Sequence, residues 1–329
     1  MFIFMKRFIG CDLGGTNLRA AIVDVESGVV LHSMSVPTLA REGYEVVMRR
    51  MADMFVNLLA SVQISRDDIG GIGIGAPGVL DLERGETLFL PNLPGTWPHV
   101  PLGPTISGLV GLPVALLNDV RSITFGEWRF GAGRGVDTMA VLAVGTGIGG
   151  GLVINRQLHL GIGGTGGELG HMVIDFNGPR CGCGNYGCLE AFASGPAIAL
   201  MGMRAVSQGL TTRIGELCGY NLNLITPELI AQAALMGDEF AIDVFEKAGF
   251  YLGVAASSIC AAVGPQKIVI AGGVAHAGRL LLEPMERTMR ARVRVMPVER
   301  VQIVSAKLGD DAGVIGAAAW AADRIGNEA

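Results

Sequence analysis

Apolar and polar positions along the chain change period in a repeating way. Phe8–Leu13, Leu18–Val23 and Val29–Val36 are short apolar or alternating runs separated by turn residues, and they predict three strands. Residues 42–62 carry apolar positions at helical spacing. Ile69–Ile74 predicts a buried strand that ends in Gly75-Ala76-Pro77-Gly78. Residues 85–104 hold Pro91, Pro94, Pro98, Pro101 and Pro104 and predict an irregular loop. Pro113–Leu117 predicts a strand ending at Asn118-Asp119. A second block repeats the order. Thr138–Val144 and Gly150–Ile154 predict strands around a glycine-rich turn. Helices are predicted at 195–206, 227–236, 239–262 and 278–291, a strand at Lys267–Ala271, and a last helix at 311–325.

The first half and the second half each begin with strand hairpins and continue with alternating helices and strands. An α/β chain duplicated at the level of architecture follows, with two similar lobes and a cleft between them. Open α/β sheets place ligands at the strand ends that face such a cleft.

Composition sharpens this picture. The chain has 329 residues, of which 50 are glycine. That is about 15%, roughly twice the usual share. The glycines fall in clusters after apolar runs, so they mark tight backbone turns. Half of the residues are hydrophobic and 17% are charged, which excludes a disordered chain. The net charge of −5 gives no electrostatic footprint for nucleic acid or an anionic membrane. The segment Ala248–Gln266 lacks charge, but it contains Gly249, Gly253, Ser257, Ser258, Gly264 and Pro265 and predicts a core helix, not a span. The opening residues show no leader pattern, and a cytoplasmic protein is expected.

Two turns can hold phosphate. Asp12-Leu13-Gly14-Gly15-Thr16-Asn17 follows the first strand, and Gly145-Thr146-Gly147-Ile148-Gly149-Gly150 follows the strand at 138–144. Glycine leaves backbone N–H groups free of side chains, and such a concavity suits phosphate oxygens. Asp12 can hold a metal ion through water. Neither turn is a Walker A loop, and each alone can be a plain hairpin turn. Asn118-Asp119 reads either as a helix cap or as a carboxylate that accepts the proton of an attacking hydroxyl.

One further cluster carries metal chemistry. His171 precedes Cys181, Cys183 and Cys188, with glycines between them. Three thiolates and an imidazole form a closed four-ligand set for structural zinc. Cys181-Gly182-Cys183 does not have the spacing of a redox pair. Glu168 and Glu190 flank the cluster, and carboxylates that accept paired hydroxyls suit a sugar.

Together these motifs resemble the ROK family (repressors, open reading frames, kinases), in particular its bacterial glucokinase-like members. The resemblance rests on the segments just quoted and on Pro91-Asn92-Leu93-Pro94-Gly95, Phe130-Gly131-Ala132-Gly133-Arg134-Gly135, Gly167-Glu168-Leu169-Gly170-His171, Cys181 through Glu190, and Ile270-Ala271-Gly272-Gly273-Val274. It implies an actin/hexokinase-like fold of two RNase H-like lobes. The lobes are expected at 1–118, with the last helix of 311–329 packed back on it, and at 119–310. It implies a kinase that uses ATP and Mg2+ to phosphorylate a hexose, glucose first, with Asp119 as catalytic base. Asn118, Asp119, Glu168, His171, Glu190 and Gly78 would bind the sugar. Asp12, Gly14, Gly15, Thr16, Asn17, Gly145, Thr146, Gly147, Gly149 and Gly150 would serve the nucleotide phosphates, and Gly272 and Gly273 the adenosine. A homodimer is expected.

Val120-Arg121-Ser122 departs from the Ala-Asn-Ala common after the catalytic pair, and Thr165 from a common alanine. These changes leave N-acetylmannosamine, allose and fructose as alternative acceptors and polyphosphate as an alternative donor. A non-catalytic sugar-binding regulator is the alternative of another class. The family's repressors carry a DNA-binding domain ahead of the first phosphate turn, which here begins at residue 12.

Overall fold

The computed structural model describes residues 6–91 and 93–326. Asn92 of the proline-rich motif, residues 1–5 of the stretch read for a leader, and residues 327–329 lie outside them. The chain forms two compact units. Unit 1 comprises Met1–Gly135, Leu158–Gly166 and Lys307–Ala329, and unit 2 comprises Val136–Gln157 and Gly167–Ala306.

Unit 1 is built on a five-stranded sheet of β1 (Arg7–Leu13), β2 (Asn17–Asp24), β3 (Val29–Pro37), β4 (Ile72–Ala76) and β7 (Val114–Asn118). The order is β3-β2-β1-β4-β7. The first three strands are antiparallel, and β4 and β7 extend the sheet in parallel. A small hairpin, β5 (Val79–Asp81) and β6 (Glu86–Phe89), lies outside it. The register sets up the chemistry. Asp12 stands opposite Gly75, and Ala76 stands opposite Asn118. The ends of β1, β4 and β7 therefore meet at one edge of the sheet, just before the helix Asp119–Arg129.

Unit 2 repeats the plan. Its sheet contains β8 (Met139–Val144), β9 (Ile148–Ile154), β10 (Gln157–Leu158), β11 (Lys267–Ala271) and β12 (Gln302–Ser305), in the order β10-β9-β8-β11-β12. The antiparallel pair β8/β9 corresponds to β1/β2, and the parallel β11 and β12 correspond to β4 and β7. The duplication expected from the sequence is thus present strand for strand. The uncharged stretch from Ala248 lies in the helix Glu239–Val263, which buries Ala248, Leu252, Ala256 and Ile259. Among the described residues no helix is long and apolar enough to cross a membrane.

Several elements differ from the sequence reading, among them the short strands β5 and β10 and the helix Arg213–Leu217, which it lacks. The stretch 85–104 is not wholly irregular. It holds β6, and the helix Leu102–Val110 starts there, with Pro101 as its N-cap and Pro104 in its first turn. Proline is tolerated in a first turn because those N–H groups have no partner in the helix. Strand β12 shows no apolar alternation because all four of its residues are partly or fully exposed.

The helix Ala312–Ile325 packs on the sheet of unit 1 and on the helix Asp119–Arg129 at a separation that only glycine allows. A Cβ on Gly10 of β1 would fall inside the carbonyl of Val314, and one on Gly316 inside the carbonyl of Ser122. Gly316→Ala is therefore expected to lower stability by about 1–3 kcal/mol, the usual range for overpacking. Gly108→Ala, in an open position of the helix Leu102–Val110, is expected to be neutral or slightly stabilising. Thermal unfolding of the two variants tests this. Equal melting temperatures would contradict the close packing.

Candidate active site

In unit 1 the end of β1 delivers Asp12, and the start of the helix Asp119–Arg129 delivers Asp119. Asn118 caps that helix. Its Oδ1 accepts the N–H of Val120 at 3.1 Å and of Arg121 at 3.3 Å, and its Nδ2 donates to the Gly78 carbonyl at 3.1 Å. Asn118 thus fixes the head of the helix and ties it to the turn after β4. Asp119 Oδ1 accepts the N–H of Val120 at 2.8 Å. The Asp119 charge is felt at Asp12. Burial first, and then the charge of Asp119, push the Asp12 carboxyl up to about 6, against the pull of Arg19. Arg19 is itself held by Asp311 at 2.5 Å and by the Asp310 carbonyl at 2.6 Å.

The first glycine turn is rigid at its base and open at its tip. Gly14 N–H donates to Asn17 O at 3.1 Å, and Thr38 donates through Oγ1 to Gly14 O at 2.6 Å and through N–H to Thr16 O at 2.8 Å. Gly15, Thr16 and Asn17 remain exposed.

In unit 2 the turn Gly145–Gly147 is closed by the Gly145 N–H on Gly147 O at 2.9 Å. Gly195 N–H, at the start of the helix Gly195–Ser207, donates to Gly145 O at 2.8 Å. Gly145, Thr146, Gly195, Thr226, Glu228 and Gly273 line a cavity of about 490 Å³. A second cavity of about 240 Å³ shares Pro227, Glu228, Gly273 and Val274 with it and is otherwise walled mainly by Ala231, Leu235, Phe245 and Ala277. The first cavity carries the glycines and the Thr146 and Thr226 hydroxyls on a wall that also includes Pro196, Ala199 and Ile225, and it adjoins the apolar second one.

Other expected residues stand elsewhere. Gly149 and Gly150 are in the ladder of β9, opposite Ala143 and Leu142, with Leu169 packed over Gly150. Gly272 turns the chain out of β11 with φ of 84°. The Glu190 carboxylate accepts the Ile148 N–H at 2.9 Å and sits against Gly147, beside the second turn. Thr226 and Glu228 line the cavity, and the sequence reading missed them. Their signal, Thr-Pro-Glu at a helix start, is indistinguishable from an ordinary cap.

The cysteine loop gathers its four expected ligands. The donor atoms of His171, Cys181, Cys183 and Cys188 lie within 4.8 Å of one another. Cys183 Sγ is 3.8 Å from Cys188 Sγ, and Cys181 Sγ is 3.7 Å from His171 Nδ1. Zinc–sulfur bonds of about 2.3 Å at tetrahedral angles put sulfurs about 3.8 Å apart, so the set fits a tetrahedral ion. Burial pushes the Cys181 thiol up to about 12 and raises Cys188, whereas the Asn185 N–H lowers Cys183. Cys181 Sγ also donates to Glu190 Oε1 at 3.4 Å, so the loop, Glu190 and the second turn form one connected group. Glu168 stands at the head of the single turn Leu169–His171, where its carbonyl accepts the His171 N–H at 3.1 Å.

The ROK family model matches residues 8–324. The chain belongs to the ROK family. A glucokinase of Thermotoga maritima is 35% identical over 97% of this chain and 98% of its own. A ROK family glucokinase of Streptomyces griseus, solved in complex with glucose and AMPPNP, has a TM-score of 0.81 at 32% identity, covering 95% of this chain and 98% of that one. A ROK family transcriptional regulator, a homologue of the E. coli MLC protein, has a TM-score of 0.83 at 30% identity, covering 97% of this chain and 78% of its own. The actin/hexokinase-like fold of this ROK protein is thus established together with its family.

The raised Asp12 carboxyl predicts a pH dependence. Between pH about 4 and 6 the folded chain holds a proton that an unfolded aspartate has released, so this group favours folding in acid, and its contribution is lost as pH rises through 6. Asp12→Asn removes that cost. In metal-free buffer the variant is expected to melt higher than wild type near pH 7.5, with the gap closing towards pH 4. A gap independent of pH would contradict the burial of this charge.

Proposed function

We propose that this ROK protein is an ATP-dependent hexokinase of the glucokinase type, converting glucose to glucose 6-phosphate. The observation that carries the reading is the pair Asp12 and Asp119 at the end of the unit 1 sheet, the second close enough to raise the first, in a chain whose glucokinase relatives match it over nearly their whole length. Asp119 is the catalytic base. It accepts the proton of the sugar hydroxyl as that oxygen attacks the γ-phosphorus, and ADP leaves. Phosphoryl transfer has a loose transition state, so positioning and charge neutralisation supply most of the acceleration.

Asn118, Gly78, Glu168, His171 and Glu190 hold the sugar in this reading. His171 presents Nδ1 to the thiols, which leaves Nε2 for a sugar hydroxyl. The exposed tip Gly15–Asn17, with Asp12 and Gly14 behind it, and Gly145–Gly147 offer backbone N–H groups to phosphate oxygens. Gly149 and Gly150 support that second turn from β9. Gly273 borders the apolar cavity that takes the adenosine, and Gly272 turns the chain into that position from β11. Asp12 is the carboxylate suited to hold Mg2+ through water, and the ion supplies charge neutralisation on the phosphates. His171, Cys181, Cys183 and Cys188 hold structural zinc, which stiffens the loop that carries Glu190. The three remaining cysteines, Cys11, Cys218 and Cys260, are buried and unbridged, in keeping with a reducing, cytoplasmic setting. Exposed Phe176 and Phe250 are consistent with a homodimer.

The test is ADP release from Mg-ATP with glucose, N-acetylmannosamine, N-acetylglucosamine, mannose, allose and fructose in turn. Glucose is expected to stand well above the others. Asp119→Ala is expected to lose turnover by about 10² to 10⁴ while still binding glucose. Release with no sugar at all, or near wild-type turnover in the variant, would overturn the reading.

A further inference from the structure

The helix Asp119–Arg129 carries two charged side chains shut away from solvent. Arg121 is 1% exposed and Glu127 is 0% exposed. Burying an ion costs several kcal/mol unless partners satisfy it. Both side chains reach backbone groups outside their own helix. Glu127 Oε1 accepts the N–H of Lys307 at 2.9 Å and of Leu308 at 2.8 Å, and Oε2 accepts those of Ala132 at 2.7 Å and Lys307 at 3.1 Å. Arg121 Nε donates to the Gly166 carbonyl at 2.9 Å.

These backbone groups have a common property. The chain leaves unit 1 after Gly135, returns at Leu158, leaves again after Gly166 and returns at Lys307. Gly166 and Lys307 are themselves the last and first residues at two of these passages. Ala132 lies just before a third. One helix therefore grips three of the four passages, and its first residue is Asp119. An apolar side chain at either position would leave those backbone groups without this partner, at the desolvation cost of each group. Charge-assisted hydrogen bonds to fixed backbone groups hold one geometry.

We propose that Arg121 and Glu127 are positioning residues of the phosphoryl transfer, which fix the passages of the chain relative to Asp119. This rests on the sugar-kinase reading above. That reading places sugar-binding residues on both sides of the Gly166 passage, with Glu168 two residues beyond it. Sugar binding thus depends on the grip. Nucleotide binding does not, because the residues lining its cavities belong to unit 2, and the unit 1 phosphate turn is held by Thr38, not by Arg121 or Glu127.

The experiment compares Arg121→Met, Arg121→Lys and Glu127→Gln with wild type. Arg121→Met and Glu127→Gln are expected to raise the KM for glucose by roughly tenfold or more, the scale of one charge-assisted hydrogen bond. Arg121→Lys restores most of the loss, and the affinity for ADP stays within about threefold in all. Hydrogen exchange in the same proteins, independent of any substrate, is expected to quicken at 158–166 in Arg121→Met and at 132 and 307–308 in Glu127→Gln, while the helix keeps its protection. If Glu127→Gln does not fold, the Arg121 pair decides. Folded variants with an unchanged glucose KM, or a loss shared equally by glucose and ADP, would overturn the proposal. If wild type phosphorylates no sugar, the sugar-kinase reading fails, and exchange alone decides whether the passages are held: unchanged exchange overturns the grip as well.

Discussion

The approach of the last helix to the first sheet sets the geometry on which the rest depends. Ala312–Ile325 lies against β1 and against the helix Asp119–Arg129 with glycine at the points of contact. A methyl group at Gly10 or Gly316 would force these elements apart. Gly10 is two residues from Asp12, and Gly316 touches the backbone of Ser122, three residues from Asp119. Close packing therefore brings two carboxylates into one electrostatic environment. Glycine is costly in a helix or strand, and its presence at these contacts is explained by distance, not by flexibility.

The consequence is a site whose charges are strained before any ligand arrives. Asp12 gives up part of its acidity because it is buried and Asp119 is near. In the proposed reading, two such carboxylates serve a divalent cation and the proton of an alcohol. Unit 2 solves a different problem with the same strand plan. Its turn carries no equivalent acid pair. Glu190 there binds backbone at Ile148 and the thiol of Cys181, so the metal-fit loop and the phosphate-type turn are braced against each other. Duplication supplied two similar turns, and the side chains at their edges gave them separate tasks.

Much of this was legible in the amino-acid order. The strands at 8–13 and 138–144 announce themselves by apolar runs that end at glycine, because buried strands need the first and tight turns the second. The cluster of His171, Cys181, Cys183 and Cys188 was readable because residues able to ligate a metal are few in kind and close in sequence. Strand β12 was not, since a half-exposed edge has no alternation to show. Nor were Thr226 and Glu228, which reach the cavity from a helix start that looks like any other. Arg121 was visible only as a departure from the family pattern. Its burial and its hold on Gly166, 45 residues away in the chain, come from tertiary packing that no local pattern encodes.

The most direct measurement is a crystal structure of the protein with glucose and a non-hydrolysable ATP analogue. The account predicts an Asp119 carboxylate oxygen within roughly 2.6–3.2 Å of the sugar hydroxyl that faces the γ-phosphate. A sugar bound with that hydroxyl turned away from Asp119, or facing another acid, would contradict it.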